Sequence, residues 1–340
     1  MTETAFEGAA VPTAEADVVL RATGIDKAFF GVQVLRGVSL EVRRGEVHGL
    51  VGENGAGKST LMKVLAGVYQ ADAGTVEFDG RTVAFTHPLQ SMNAGLVTVF
   101  QEFNLLPERT VAQNVYLGRE PRKGLLIDKK GMIERTREIL KDLGVDFIDA
   151  SSRVGSLTVA EQQIVEIVKA LSFDARVISM DEPTAALSDH EVELLYGIIR
   201  RLTARGVAVI YVSHRLKEIF DLCDSITILK DGALVSSDPA SALTQDELVR
   251  RMVGRPIQSY YPGVEPGTQL GETRVALRGA GNDFVDDVTL ELRAGEIVGL
   301  AGLQGSGRTE IVEGIFGAHP FTRGTLQLDG REVRMTSPRQ

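Results

Sequence analysis

Val47-His48-Gly49-Leu50-Val51-Gly52-Glu53-Asn54-Gly55-Ala56-Gly57-Lys58-Ser59-Thr60 decides the fold of this chain. Val47 to Val51 is a short apolar run of the kind that forms a buried strand. Gly52 to Ser59 fits the pattern G-x-x-x-x-G-K-[ST], and Lys58 to Ala66 has helical composition. A glycine-rich loop between strand and helix turns its backbone N–H groups inward around phosphate, and the helix start adds a positive dipole end. In that arrangement Lys58 reaches the β- and γ-phosphates of a nucleotide and the Ser59 hydroxyl binds Mg²⁺. The residues expected to hold the nucleotide's phosphates are therefore Gly52, Glu53, Asn54, Gly55, Ala56, Gly57, Lys58, Ser59 and Thr60.

Working outward, Val18 to Ile25 and Val34 to Val42 read as strands before the loop. Gly74 to Phe78 and Arg81 to Phe85 follow it, joined by the hairpin signal Asp79-Gly80. Val97 to Phe100 is another buried strand. Residues from about 104 to 160 turn charged and helical, as in Asp128 to Leu143, and predict an inserted helical subdomain. Strand and helix then alternate: Val177 to Met180, a helix over Asp189 to Ala204, Val207 to Val212, and a helix from Arg215. Such alternation implies a largely parallel α/β core.

Three strand ends add chemistry. Asp181 follows a buried strand and is placed to bind the metal, and Glu182 beside it to polarise an attacking water. Gln101 ends the strand at Val97 to Phe100 and is a candidate for the metal and the lytic water. His214, after the strand Val209 to Val212, is a candidate contact to the γ-phosphate.

In that order, with Leu157-Thr158-Val159-Ala160-Glu161-Gln162-Gln163 heading a helix, the chain resembles the ATP-binding subunits of ABC transporters. Gln101-Glu102, Met180-Asp-Glu-Pro-Thr-Ala-Ala-Leu187 and Ser213-His-Arg215 make it similar to the ATPases of bacterial monosaccharide importers, the ribose type above all. The resemblance implies a P-loop NTPase of ABC type, α/β, with an antiparallel β-subdomain. It implies Mg²⁺ and ATP as ligands, permease subunits and a periplasmic or extracellular sugar-binding protein as partners, and a peripheral place at the cytoplasmic face of the membrane. Phe29, with Phe30 next, is the match for the aromatic residue that stacks on adenine in this family. Thr158 and Glu161 form a capping box for a helix whose buried side carries Ile164, Val168 and Leu171. Ala160 stands where the family signature has glycine.

The loop returns as Gly302-Leu-Gln-Gly305-Ser-Gly307-Arg308-Thr309, and Lys58 and Arg308 lie 308 − 58 = 250 residues apart. Gly45 and Gly295, Asp79-Gly80 and Asp329-Gly330, and Pro88 and Pro338 keep the same offset. The expected organisation is a tail at 1–17, a first ATPase domain at 18–254, a linker at 255–273, and the amino-terminal part of a second copy at 274–340. Arginine keeps the charge of lysine but is a planar fork in place of a compact ammonium, so the second loop is expected to be degenerate. The signature of the second copy falls outside the chain, and the chain alone is expected to hydrolyse ATP weakly.

Composition narrows the alternatives. With 37 basic and 46 acidic residues among 340, the formal charge is −9, against non-specific nucleic-acid binding. The single cysteine, Cys223, excludes an internal disulfide and reads as a buried residue. The acidic start, MTETAFEGAAVPTAEAD, does not read as a signal peptide, and no uncharged apolar run approaches the roughly 18 residues that span a bilayer. The chain is expected to be soluble and cytosolic. A soluble tandem ABC ATPase acting on ribosomes or DNA is the competing reading. A P-loop kinase or GTPase is a further one, against which the glutamate after Asp181 and the lack of an Asn-Lys-x-Asp motif both speak.

Overall fold

A computed structural model describes residues 17–100, 104–253, 270–303 and 305–340. The chain divides into two compact units, Met1–Tyr260 and Tyr261–Gln340. The expected tail and linker lie almost wholly outside the described residues.

The first unit opens with β1 (Val18–Phe29) and β2 (Val32–Arg43), then β3 (Val47–Val51), α1 (Lys58–Leu65), β4 (Ala73–Phe78), β5 (Arg81–Val83), α2 (Pro88–Ala94) and β6 (Leu96–Val99). An antiparallel sheet forms in the order β2-β1-β4-β5. Its β4–β5 turn places Asp79 and Gly80 at φ of 53° and 73°, the left-handed pair that a two-residue hairpin requires. Next come α3 (Val111–Val115), a small hairpin of β7 (Arg122–Lys123) and β8 (Leu126–Ile127), α4 (Lys129–Leu143) and α5 (Val159–Leu171). These make the helical region. Asp128 caps α4 by accepting from the Gly131 amide at 3.0 Å, and Gly144 closes it in the left-handed conformation.

The α/β core resumes with β9 (Val177–Asp181), α6 (Asp189–Ala204), β10 (Ala208–Val212), α7 (Leu216–Leu222), β11 (Ser225–Lys230), β12 (Ala233–Pro239) and α8 (Gln245–Val253). The central sheet runs β12-β11-β3-β10-β9-β6. From β11 to β6 it is parallel, and β12 pairs antiparallel at its edge. Every residue of β3 and of β10 is buried, as expected for parallel strands covered on both faces. Cys223 is buried against β3, where a Cβ on Gly49 would come within 3.0 Å of its sulfur. Burial pushes its thiol well up, so it is a packing residue.

The second unit contains β13 (Thr273–Gly281), β14 (Val288–Arg293), α9 (Arg308–Phe316), β15 (Arg323–Leu328) and β16 (Arg331–Val333). Its sheet order, β14-β13-β15-β16, matches β2-β1-β4-β5. The starts of α9, β15 and β16 follow those of α1, β4 and β5 by 308 − 58, 323 − 73 and 331 − 81, each 250. Its core is small: Leu277, Ala280 and Leu326 are buried, with Ile311, Ile315 and Phe321 packed against them. The residues at 297–301 form no strand here, and Ile297 is fully exposed.

Candidate functional site

The phosphate-type loop lies between β3 and α1 as its sequence demands. Gly57 precedes the helix at φ 98°, and a Cβ there would fall 2.6 Å from Leu35 and 3.1 Å from the Val34 carbonyl. Gly52 starts the loop so close to the Leu229 carbonyl that a Cβ has no room. Only glycine satisfies both positions.

Lys58 folds back over the loop, its Nζ donating to the Gly52 carbonyl at 2.8 Å and the Glu53 carbonyl at 3.0 Å. Burial lowers the pKa of this ammonium, against the raising effect of Asp181 and Glu182. Ser59 Oγ donates to Asp181 Oδ2 at 3.3 Å. Together Val34, Asn54, Gly55, Ala56, Gly57, Lys58, Ser59, Thr60, Asp181 and Glu182 line one open cavity of about 330 Å³. The sequence assigned all of these residues to the site except Val34, which reaches the cavity from β2.

Glu182 adopts φ 48°, in the left-handed region. Its amide donates to the Val212 carbonyl at 2.9 Å, joining the end of β9 to the end of β10. Its Oε1 stands 3.1 Å from His214 Nδ1, so these two residues, 32 apart in sequence, form one polar pair at the cavity's edge. Gln101 lies outside the described residues.

Phe29 packs edge-on against Tyr69, ring centroids 5.0 Å apart, with the Lys27 ammonium 5.4 Å from its ring. It does not line the phosphate-loop cavity. Phe30 occupies the β1–β2 turn, fully exposed and with φ 51°.

The signature residues Leu157, Thr158, Val159, Ala160, Glu161 and Gln162 are separate from this cavity. Thr158 caps α5: its hydroxyl accepts from the Glu161 amide at 3.2 Å, and Glu161 Oε2 accepts from the Thr158 amide at 2.7 Å. Ile164 and Val168 are buried beneath it, while Val159 at its exposed start is 43% accessible.

In the second unit Gly305 and Gly307 take φ of 80° and 87°, and Gly307 precedes α9 as Gly57 precedes α1. Gly302, Arg308 and Thr309 are exposed. Among the described residues no hydrogen bond joins Thr309 to a carboxylate, as Ser59 is joined to Asp181.

One residue of the site's frame was not singled out in sequence. Glu218, on α7, is buried and takes hydrogen bonds from Thr184, Tyr211 and Ser213. The available signal was its place beside Ile219 and one turn before Leu222, on the apolar face of a short helix.

A model of the ABC transporter family matches residues 35–185 and 285–340. A ribose import ATP-binding protein of Streptomyces avermitilis is 48% identical over 94% of this chain. A putative ribose/galactose/methyl galactoside import ATP-binding protein of Burkholderia lata is 44% identical over 98%, and a ribose import ATP-binding protein of Geobacillus kaustophilus 46% identical over 93%. The chain spans 63% to 64% of the length of these relatives. Among solved structures, a nucleotide-free ATP-binding cassette from an ABC transporter matches with a TM-score of 0.62 at 26% identity, over 72% of this chain and 99% of that one. The ADP conformation of an ATP-binding cassette of an ABC transporter matches with a TM-score of 0.61, also at 26% identity, over 72% of this chain and 99% of that one.

Proposed function

The chain belongs to the ABC transporter family, and from that premise we propose that its first unit binds and hydrolyses Mg-ATP to energise import of a ribose-type monosaccharide. The observation that carries the reading is convergence: Lys58, Ser59, Asp181 and Glu182 line one cavity, with His214 against Glu182. The names of the relatives supply the transport role.

In this reading, the loop amides from Asn54 to Thr60 cradle the phosphates, and Lys58 exchanges its two carbonyl acceptors for β- and γ-phosphate oxygens. Ser59 and Asp181 offer adjacent hard oxygen donors, which suits Mg²⁺, a cation that takes few protein ligands and fills its shell with phosphate and water. When bound, Mg²⁺ neutralises charge on the phosphate oxygens. Glu182 orients and deprotonates the attacking water, and His214 holds Glu182 in place while facing the γ-phosphate. Gln101 is assigned to the same water and metal from sequence alone. Phe29 or Phe30 takes the adenine ring, and Phe30 has the freer face.

The signature residues 157–162 would serve nucleotide held by an opposing cassette, with the capped start of α5 directed at its phosphates. Gly302, Gly305, Gly307, Arg308 and Thr309 would form a second, degenerate loop in which arginine stands where the first has Lys58. The partners are permease subunits at the cytoplasmic face of the membrane and, through them, a periplasmic or extracellular sugar-binding protein. Among the described residues no helix is long and apolar enough to cross a membrane.

The deciding experiment is calorimetry of Mg-ATP binding to wild-type and Lys58→Ala chains, followed by sugar uptake into vesicles holding the permease. Binding lost with Lys58 and uptake dependent on ATP support the reading. Equal binding by both chains would overturn it.

A further inference from the structure

The Glu218 carboxylate lies outside the cavity yet is only 5% exposed. It is the acceptor for three hydroxyls and one guanidinium. Thr184 Oγ1 lies 2.7 Å and 2.8 Å from its two oxygens, Tyr211 Oη 2.9 Å from Oε2, Ser213 Oγ 2.8 Å from Oε2, and Arg215 Nη1 3.4 Å from Oε1. Burying a carboxylate is costly, and well-packed apolar residues often stabilise a core as well or better. A multiply bonded buried carboxylate therefore calls for a use beyond packing.

Its donors show where that use lies. Thr184 is two residues beyond Glu182, and Ser213 immediately precedes His214. Ser213 Oγ also accepts from the Arg215 amide at 3.0 Å, so it braces both sides of His214. The turn at 182–185 is held further by Ala185 N–H donating to the Glu182 carbonyl at 3.3 Å. Glu182 itself sits at φ 48°, a strained conformation for a non-glycine residue that persists only where the surroundings enforce it. One carboxylate thus ties together the two chain segments that carry the polar pair at the cavity.

We propose that Glu218 is a positioning residue for ATP hydrolysis, fixing the segment after Glu182 and the residue before His214 so that their side chains meet at 3.1 Å. This rests on the hydrolytic reading of the site. It predicts that losing the Glu218 anchor leaves nucleotide binding intact and disorganises the Glu182–His214 pair.

The test uses the full chain labelled with ¹⁵N-histidine, the His214 ring signal being assigned by its loss in His214→Gln. The ring's titration is followed in wild type, Glu218→Gln and Glu182→Gln, beside ATP affinity, kcat and KM. Thr184→Val, which removes one hydroxyl at constant shape, serves if Glu218→Gln does not fold. The expected result is that the anchor variants move the His214 titration in the same direction as Glu182→Gln. In them kcat falls roughly tenfold to a hundredfold, the scale of a small misplacement, while KM and ATP affinity change little. An unmoved His214 titration, with any loss of rate matched by loss of folded protein, would overturn the proposal. Should the wild type hydrolyse no ATP, the hydrolytic reading fails on its own, and the His214 titration still decides whether Glu218 positions the pair.

Discussion

Glu182 Oε1 and His214 Nδ1 lie 3.1 Å apart at the ends of β9 and β10, where Glu182 N–H also donates to the Val212 carbonyl. Two neighbouring parallel strands thereby deliver an acid and an imidazole to one edge of the phosphate-loop cavity. If Glu182 activates water there, Glu182→Gln keeps the side-chain volume and the contact to His214 but loses the base. Steady-state phosphate release should fall by about 10²–10⁴-fold, with ATP affinity by calorimetry retained. A glutamine variant that turned over at the wild-type rate would place water activation elsewhere.

Asp181 opposes stability to function. Burial raises its carboxyl above the ordinary value; the Ser59 hydrogen bond lowers it, Glu182 raises it further, and Lys58 lowers it. A carboxyl raised in the fold favours the folded state fully below its unfolded pKa, and that contribution is lost as pH rises through the folded value. At neutral pH, Asp181→Asn should therefore increase Tm by about 2–4 °C, the gain shrinking towards acid pH. The same variant should lose the Mg²⁺ dependence of nucleotide binding. Melting curves over a pH series, with and without Mg-ATP, check both halves.

Gly57 tests the loop itself. Gly57→Ala must hold φ 98° and place a methyl 2.6 Å from Leu35. Strain and overpacking should cost about 1–3 kcal/mol, and the displaced amides should weaken ATP binding roughly tenfold or more. Chemical denaturation and calorimetry measure the two effects. An alanine variant of wild-type stability and affinity would show that the loop has more freedom than its packing implies.

Much of this site was legible because its chemistry is local in sequence. Val47–Val51 as a strand, Lys58 at a helix start, Asp181 at the end of β9, and the Thr158–Glu161 box each follow from short-range pattern and propensity. Glu218 was not legible in the same way. In the run Arg215-Leu-Lys-Glu218-Ile it looks like one more charge of a surface helix, and Lys217 and Asp221 do form an exposed ion pair at 3.0 Å. What sets Glu218 apart is tertiary: hydroxyls from Thr184, in the turn after β9, and Tyr211, on β10, are brought to it by the fold. Phe29 illustrates the reverse case. Its aromatic character singles it out, yet its ring is engaged by Tyr69, a neighbour 40 residues away by 69 − 29. Nor does the pattern around Thr158 say that its helix start lies apart from the phosphate-loop cavity of the same unit.

The cap on α5 can be separated from nucleotide binding. Thr158→Ala removes the hydroxyl that accepts from the Glu161 amide and should cost about 1 kcal/mol, lowering Tm by about 2–4 °C. Because no signature residue lines the cavity at Lys58, ATP affinity should be unchanged within error. A parallel loss of affinity would mean that α5 communicates with the phosphate loop through the first unit.

Arg308 asks whether the second loop needs only its lysine. Gly305 and Gly307 already take the left-handed conformations seen at Gly55 and Gly57, so those two turns are not what separates the loops. The described residues around the two loops differ. Ser59 has Asp181 at 3.3 Å, whereas among the described residues Thr309 is hydrogen-bonded to no carboxylate. Exchange of a planar guanidinium for a compact ammonium restores one phosphate contact and supplies no acidic oxygen for Mg²⁺. Arg308→Lys should leave calorimetric stoichiometry at one Mg-ATP per chain, with Lys58→Ala abolishing binding in both backgrounds. A second site of comparable affinity in Arg308→Lys would show that the arginine alone silences this loop.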